Sequence, residues 1–122
     1  MECLKSLECF NCIRIKNIEC RFDLQLEKRK NKVIDRKSNR VWSETCLRML
    51  CCLNQTPQGV VLSKNEIVDF VWDGEPISES SLLQLVYCTR RNLADKNIRI
   101  ISIRGVGYAL VEGENAIYVC AN

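Results

Sequence analysis

Ile101-Ser102-Ile103-Arg104-Gly105-Val106-Gly107-Tyr108 is the stretch that decides the fold of this 122-residue chain. Leading into it, Ile98, Ile100, Ser102 and Arg104 alternate with Arg99, Ile101 and Ile103. That is the period of a strand, whose successive side chains point to opposite faces. Gly105-Val106-Gly107 supplies the turn, since glycine enters positive φ without the steric penalty other residues meet. Tyr108 to Val111 is the return strand, and Arg104 stands at the tip of the resulting hairpin.

Upstream of the hairpin the period becomes helical. Leu82, Leu85, Val86, Thr89 and Leu93 form one stripe at about 100° per residue, the core face of a helix that opens at Ser78 or Ser81. The opposite side presents Ser80, Gln84, Tyr87, Cys88 and Arg91, flanked by Leu83 and Arg90. Hydrogen-bonding groups, an aromatic ring and two arginines on one face suit a groove of DNA, and the same face also suits plain solvent.

A second helix begins at Ser63-Lys64-Asn65-Glu66, a capping box that satisfies exposed backbone donors of the first turn. Ile67, Phe70 and Val71 recur at helical spacing, and Asp73-Gly74-Glu75-Pro76 ends the helix; Trp72 at that end is either a core aromatic or an anchor for a partner. Before it, Ser43 is an N-cap with Glu44 in the first turn, and Leu47, Leu50, Cys51 and Leu53 make an apolar face that stops at Asn54 to Gly59. Val60-Val61-Leu62 has the makings of a short strand.

From Cys12 to Val41 the pattern predicts short strands: Ile13, Ile15 and Ile18, then Phe22, Leu24 and Leu26, then Val33-Ile34 and Val41-Trp42. Polar Lys- and Arg-rich segments between them are turns, and the product is an antiparallel sheet of three or four strands. The first dozen residues have no clear period, and residues 112–122 form an appendage with one further strand predicted at Ala116 to Cys120.

Composition bounds the function. With 47% hydrophobic and 27% charged residues, the chain is an ordinary globular domain rather than a disordered one. The longest uncharged stretch, Met49 to Ser63, is broken by Asn54, Gln55, Pro57 and Gly59, so no spanning helix is predicted, and the N-terminus has no signal-peptide pattern. Histidine is absent, which excludes Ser-His and Cys-His nucleophile pairs and His-containing zinc fingers. No catalytic residue, metal or cofactor is expected, and the chain is not read as an enzyme.

Nine cysteines at irregular spacing make a poor disulfide framework and fit a reducing cytoplasm. Cys46, Cys51 and Cys52 lie in one predicted helix, where free cysteine behaves as a small hydrophobe. Cys9 and Cys12 form a lone CxxC; with Cys3 and Cys20 it has sulfurs for a metal or for redox sensing, but zinc ribbons pair two such knuckles. The net charge of +3 is concentrated in Lys28-Arg29-Lys30-Asn31-Lys32 and Arg36-Lys37-Ser38-Asn39-Arg40. These runs are either solvated turns or contacts for phosphate.

The fold class that follows is α+β, a winged helix-turn-helix with an N-terminal antiparallel sheet, three helices and a C-terminal wing hairpin. Leu62-Ser63-Lys64-Asn65-Glu66-Ile67-Val68-Asp69-Phe70-Val71-Trp72, then Arg90-Arg91-Asn92-Leu93, then Ile101 to Tyr108, resemble the OmpR/PhoB-type DNA-binding domain. That family shows a V-(V/L)-S-R-E-E-L-L-E-R-V-W stretch, an R-K-x-L helix end and a closing T-V-R-G-V-G-Y hairpin. The match covers about residues 18–111, leaving 1–17 as an N-terminal extension and 112–122 as a C-terminal extension or linker.

The resemblance implies a sequence-specific regulator of transcription that binds double-stranded promoter DNA. Its recognition helix, 78–94, enters the major groove and Arg104 of the wing enters the neighbouring minor groove. Arg90 falls on a DNA-touching helix arginine and Ser102 on a hydroxyl position that meets the backbone. Trp72 and Tyr108 fall on core aromatics. Ser80, Gln84, Tyr87 and Arg91 complete the set facing DNA, with Gln84 suited to adenine. The loop Asp73 to Ile77 corresponds to one that family members use toward RNA polymerase, and tandem half-sites imply a homodimer on DNA. Leu83 and Cys88 depart from the family, standing where an acid and a base are common, and Leu85 replaces a frequent histidine. With about 17 residues ahead of the matched region, too few for a receiver domain, the chain resembles the ToxR/CadC-type regulators. These hold their winged helix on the cytoplasmic face of the inner membrane, which implies a membrane anchor outside this chain. The competing reading is a degenerate winged helix acting as a protein-interaction module through Leu83, Tyr87 and Cys88, with cysteine-based redox sensing as an addition to either.

Overall fold

A computed structural model describes Cys12 and residues 14–30, 32–57 and 59–113 of the chain. Helix α1, Ile15–Phe22, is followed by strands β1, Leu24–Glu27, β2, Lys32–Asp35, and β3, Val41–Trp42. Helix α2, Glu44–Asn54, leads to strand β4, Leu62–Ser63, and helices α3, Lys64–Trp72, and α4, Glu79–Asn92. Strands β5, Ile98–Ile103, and β6, Gly107–Glu112, close the order.

The strand expected around Ile15 and Ile18 is a helix. Ile15, Ile18 and Phe22 are three and four residues apart, and all three are buried on one side of α1. Phe22, taken as the start of a period-two run with Leu24 and Leu26, is instead the last helical residue. Asp23 then turns the chain in the left-handed conformation, φ 55, and its amide donates to the Glu19 carbonyl. The N-terminal sheet is consequently three-stranded among the described residues, in the antiparallel order β1-β2-β3, with Leu26 opposite Val33 and Val33 opposite Trp42.

Each of the three following helices opens on a serine that caps it. The hydroxyls of Ser43, Ser63 and Ser78 accept from the amides of Cys46, Glu66 and Ser81, all at 3.1 Å. Such caps contribute about 1 kcal/mol each. Ser78, rather than Ser81, starts α4, and the two hydroxyls lie 3.0 Å apart.

Helix α2 is central. Cys46, Leu47, Met49, Leu50, Cys52 and Leu53 are all buried, so its apolar surface is wider than one stripe, and Cys51 is only half-buried. Burial raises the Cys51 thiol above its ordinary pKa against the opposing influence of Gln55 and Arg14. Around α2 pack Ile67, Phe70 and Val71 of α3, the Leu82, Leu85 and Val86 stripe of α4, and Trp42 and Phe22 from the N-terminal part. Tyr108 is buried in this core, and Trp72 packs against it half-buried.

The second sheet has the order β4-β6-β5. Tyr108 and Leu110 of the middle strand face the main core, whereas Ala109 and Val111 join Ile101, Val61 and Ile103 in a small cluster of their own. A Cβ on Gly107 would fall on the Leu62 carbonyl oxygen and 2.7 Å from its carbon, so only glycine lets β6 run this close to β4.

Polar ties join the N-terminal elements to later segments of the chain. The buried Asp35 carboxylate meets the Lys96 ammonium at 2.9 Å and accepts from the amides of Lys37 and Ser38. Arg21 of α1 reaches Asn54 at the end of α2 and Glu112 at the end of β6, the latter at 3.3 Å. The strand predicted at 116–120, and Cys3 and Cys9 of the cysteine cluster, lie outside the described residues; Cys12 and Cys20 carry free thiols. Among the described residues no helix is long and apolar enough to cross a membrane.

Candidate nucleic-acid interface

Helix α4 presents two opposed faces. Leu82, Leu85, Val86, Thr89, Asn92 and Leu93 are buried, while Ser80, Leu83, Gln84, Tyr87, Arg90 and Arg91 are exposed. Thr89 resolves its own burial by donating to the Leu85 carbonyl at 2.8 Å. The only acid of α4 is Glu79 in the first turn, where a negative charge complements the helix dipole. Lys64 of α3 holds that carboxylate at 2.9 Å, and the contact raises the Lys64 pKa through the hydrogen bond and the charge of Glu79. The rest of the exposed face therefore carries no negative charge.

The residues singled out from the sequence fall into three positions. Ser80 and Gln84 lie with Cys88 along one side of an open groove, whose other side is formed by Ser43 and Thr45 at the head of α2 and by Trp72. The Gln84 amide reaches the Cys88 sulfur at 3.7 Å, which leaves its carbonyl oxygen and second N–H hydrogen for another partner. Tyr87 and Arg91 stand on the open crest of the helix.

Arg90 is turned away from that crest. Its Nε donates to the Ile100 carbonyl at 3.0 Å and its Nη2 to the Ser102 hydroxyl at 2.7 Å. The planar guanidinium presents Nε and Nη2 to the two acceptors in one fixed fork, a geometry that the point charge of a lysine does not reproduce. Two residues selected separately, one on a helix and one on a strand, are thus in direct contact.

Arg104 is at the wing tip. Ile103 and Gly107 are paired across the hairpin, Val106 N–H donates to the Ile103 carbonyl at 2.9 Å, and Gly105 takes φ 77. This short turn exposes Arg104, Gly105 and Val106 together.

Sequence reasoning left out Arg40. Its Nη1 donates to the carbonyl of Arg91 at 2.9 Å, placing a cation on the negative end of the α4 dipole. The signal was its place in the basic run 36–40, but nothing local showed that this turn meets a helix 51 residues further on. The neighbouring Asp35 is likewise tied to Lys96 just beyond α4. Burial disfavours its charge, yet the Lys96 ammonium and the two amides outweigh that and hold the carboxyl below its ordinary pKa.

Residues 41–110 match the family model described as transcriptional regulatory protein, C terminal. The chain belongs to this family, the OmpR/PhoB-type winged helices. That is a class of regulator domains and not of enzymes. As an OmpR/PhoB-type domain it is similar in fold to the DNA-binding domain of Bacillus subtilis CssR, with a TM-score of 0.54 at 18% identity over 72% of this chain and 99% of that one. It is similar also to the Klebsiella pneumoniae RstA DNA-binding domain, solved in complex with the RstA box, with a TM-score of 0.53 at 19% identity over 72% of this chain and 90% of that one. A third likeness in fold is to the C128D mutant of RitR, with a TM-score of 0.52 at 22% identity, covering 74% of this chain and 41% of that longer one. No curated protein sequence matches the chain significantly.

Proposed function

We propose that this chain is a sequence-specific, double-stranded DNA-binding regulator of bacterial transcription, with α4 in the major groove and Arg104 in the adjacent minor groove. The observation that carries this reading is the Arg90 bridge. It joins the last turn of α4 to β5, so the exposed helix face and the wing tip form one rigid surface that ends in Arg91 at one place and Arg104 at another. The surface of α4 beyond Glu79 has no carboxylate to repel phosphate, and it carries hydrogen-bonding groups suited to base edges together with cations suited to phosphate. Ser80, Gln84, Tyr87 and Arg91 meet the major groove in this reading, and Arg90 and Ser102 orient the wing while touching backbone.

Kinship with the ToxR/CadC-type branch, a homodimer on DNA, an RNA polymerase contact through Asp73 to Ile77 and a membrane anchor outside this chain are further parts of the proposal. They rest on the sequence resemblance. A cytoplasmic site of action agrees with six free cysteines among the described residues.

Selection from random duplex DNA followed by anisotropy across a salt series tests the reading. Enrichment of one sequence, with a log-log salt slope of about −0.9 per phosphate contacted, is the expected result. Binding without sequence preference, or none by monomer or tethered dimer, would overturn it. It would also favour the second reading, an interaction module, which the exposure of Leu83 and Tyr87 supports.

A further inference from the structure

On the crest of α4 two large apolar side chains stand in solvent: Leu83 is 52% exposed and Tyr87 62%. They are one helical turn apart, on the face that the buried stripe leaves outward, and among the described residues no other element covers them. Singly exposed apolar residues are ordinary, but a Leu and a Tyr at i and i+4 make a continuous apolar edge. Its surroundings are particular: Gln84 beside it, Arg91 at the next turn beyond Tyr87, and no acid after Glu79.

Resting on the DNA-binding reading above, we infer that Leu83 and Tyr87 read thymine, by packing against the C5-methyl groups on the floor of the major groove. Thymine presents the only apolar group in that groove, and apolar side chains are the groups that recognise it. Neither guanine nor cytosine offers Leu83 a compensating contact, and each would have a hydrogen-bonding edge stripped of water against it. The four residues from Leu83 to Tyr87 advance about 6 Å along the helix, close to two base steps of about 3.4 Å, so the pair reaches thymines one to two base pairs apart. Charge favours this occupant over an apolar protein groove. Arg91 next to the edge and Arg104 on the wing would meet the negative potential of a nucleic acid in its grooves, whereas they would be desolvated without partners against an apolar surface.

The operator enriched from random sequence is therefore rich in thymine where α4 docks. The deciding experiment replaces single thymines in that operator by deoxyuridine, which deletes the methyl and leaves every hydrogen-bonding group in place. At one or two positions the wild-type chain should bind the uracil operator about fourfold more weakly, the change for one buried methyl group. Leu83→Ala, at an exposed position that leaves the core untouched, should bind thymine and uracil versions of its site equally. Tyr87→Ala should do the same at the second site. Tight, selective binding with no uracil effect at any thymine would overturn the methyl-reading inference and leave the DNA-binding function standing. Absence of selective binding would overturn both.

Discussion

The Arg90 guanidinium and the Ser102 hydroxyl are 2.7 Å apart, and they bind the last turn of α4 to the outgoing strand of the wing. Ser102→Ala removes the acceptor while Arg90 keeps its hold on the Ile100 carbonyl. The stability loss expected is under about 1 kcal/mol, since the pair is exposed to solvent. Affinity should fall severalfold, because the wing is then less firmly set relative to the helix. Arg90→Lys, which cannot fork to two acceptors, should lose more than Ser102→Ala. Equal affinity of all three proteins for one operator would show that the bridge does not set the wing.

Arg104→Ala removes a cation from an exposed turn that makes no contribution to the core. Unfolding by urea should be unchanged, and DNA affinity should drop about tenfold, the usual worth of one good arginine contact. The loss should shrink when the A·T pairs beneath the wing are replaced by G·C, because a narrow A-tract groove concentrates negative potential. An affinity unmoved by the substitution would end the minor-groove assignment of Arg104.

Gly107 and Gly105 are two residues apart and predict different penalties. Gly107→Ala forces a methyl group into the Leu62 carbonyl, with no side chain to yield, and should cost more than about 3 kcal/mol or abolish cooperative folding. Gly105→Ala meets nothing within 4 Å and bears only the strain of positive φ, about 1 kcal/mol. Denaturant midpoints rank the two directly, and a reversed order would contradict the β4–β6 approach.

The Asp35 carboxyl has a folded pKa below its ordinary value of 3.8. A depressed folded value means that ionised Asp35 stabilises the fold at pH above the unfolded value. This contribution is lost as pH falls from there through the folded value. Acidification below the unfolded value should therefore destabilise the wild type more steeply than Asp35→Asn. Lys96→Ala, which strands a buried carboxylate, should cost roughly 3 kcal/mol at neutral pH. Parallel pH curves for wild type and Asp35→Asn would mean that the pair contributes nothing.

Legibility followed the range of the interactions. Ser43, Ser63 and Ser78 were readable as caps because the hydroxyl and the amide it accepts from are three residues apart. The wing was readable because its turn needs glycines and its strands alternate. Ile15 to Phe22 misled because Ile15 and Ile18 are β-branched and suggest a strand, although the three- and four-residue spacing of Ile15, Ile18 and Phe22 is that of a helix. The wheel put Ser80, Leu83, Gln84, Tyr87, Arg90 and Arg91 on the outward face of α4, and all six are exposed, but Cys88 is half-buried against the core. A wheel also has no length and could not show Arg90 folding back onto β5. Arg40 on Arg91 and Asp35 on Lys96 join segments far apart in the chain, and no local pattern encodes such meetings.

The pairing of Leu62 with Tyr108 and of Ser63 with Gly107 has a consequence for synthesis. Strand β4 precedes α3 and α4, and its neighbour β6 comes after them, so the sheet is a clasp whose two halves flank that pair of helices. A nascent chain cannot close it until Tyr108 has left the ribosome. Until then Leu62, Ile67 and Phe70 have no sheet to cover them, and the loop entropy of bringing the ends together is still unmet. A strand made after α3 and α4 is thus the one that locks them in place.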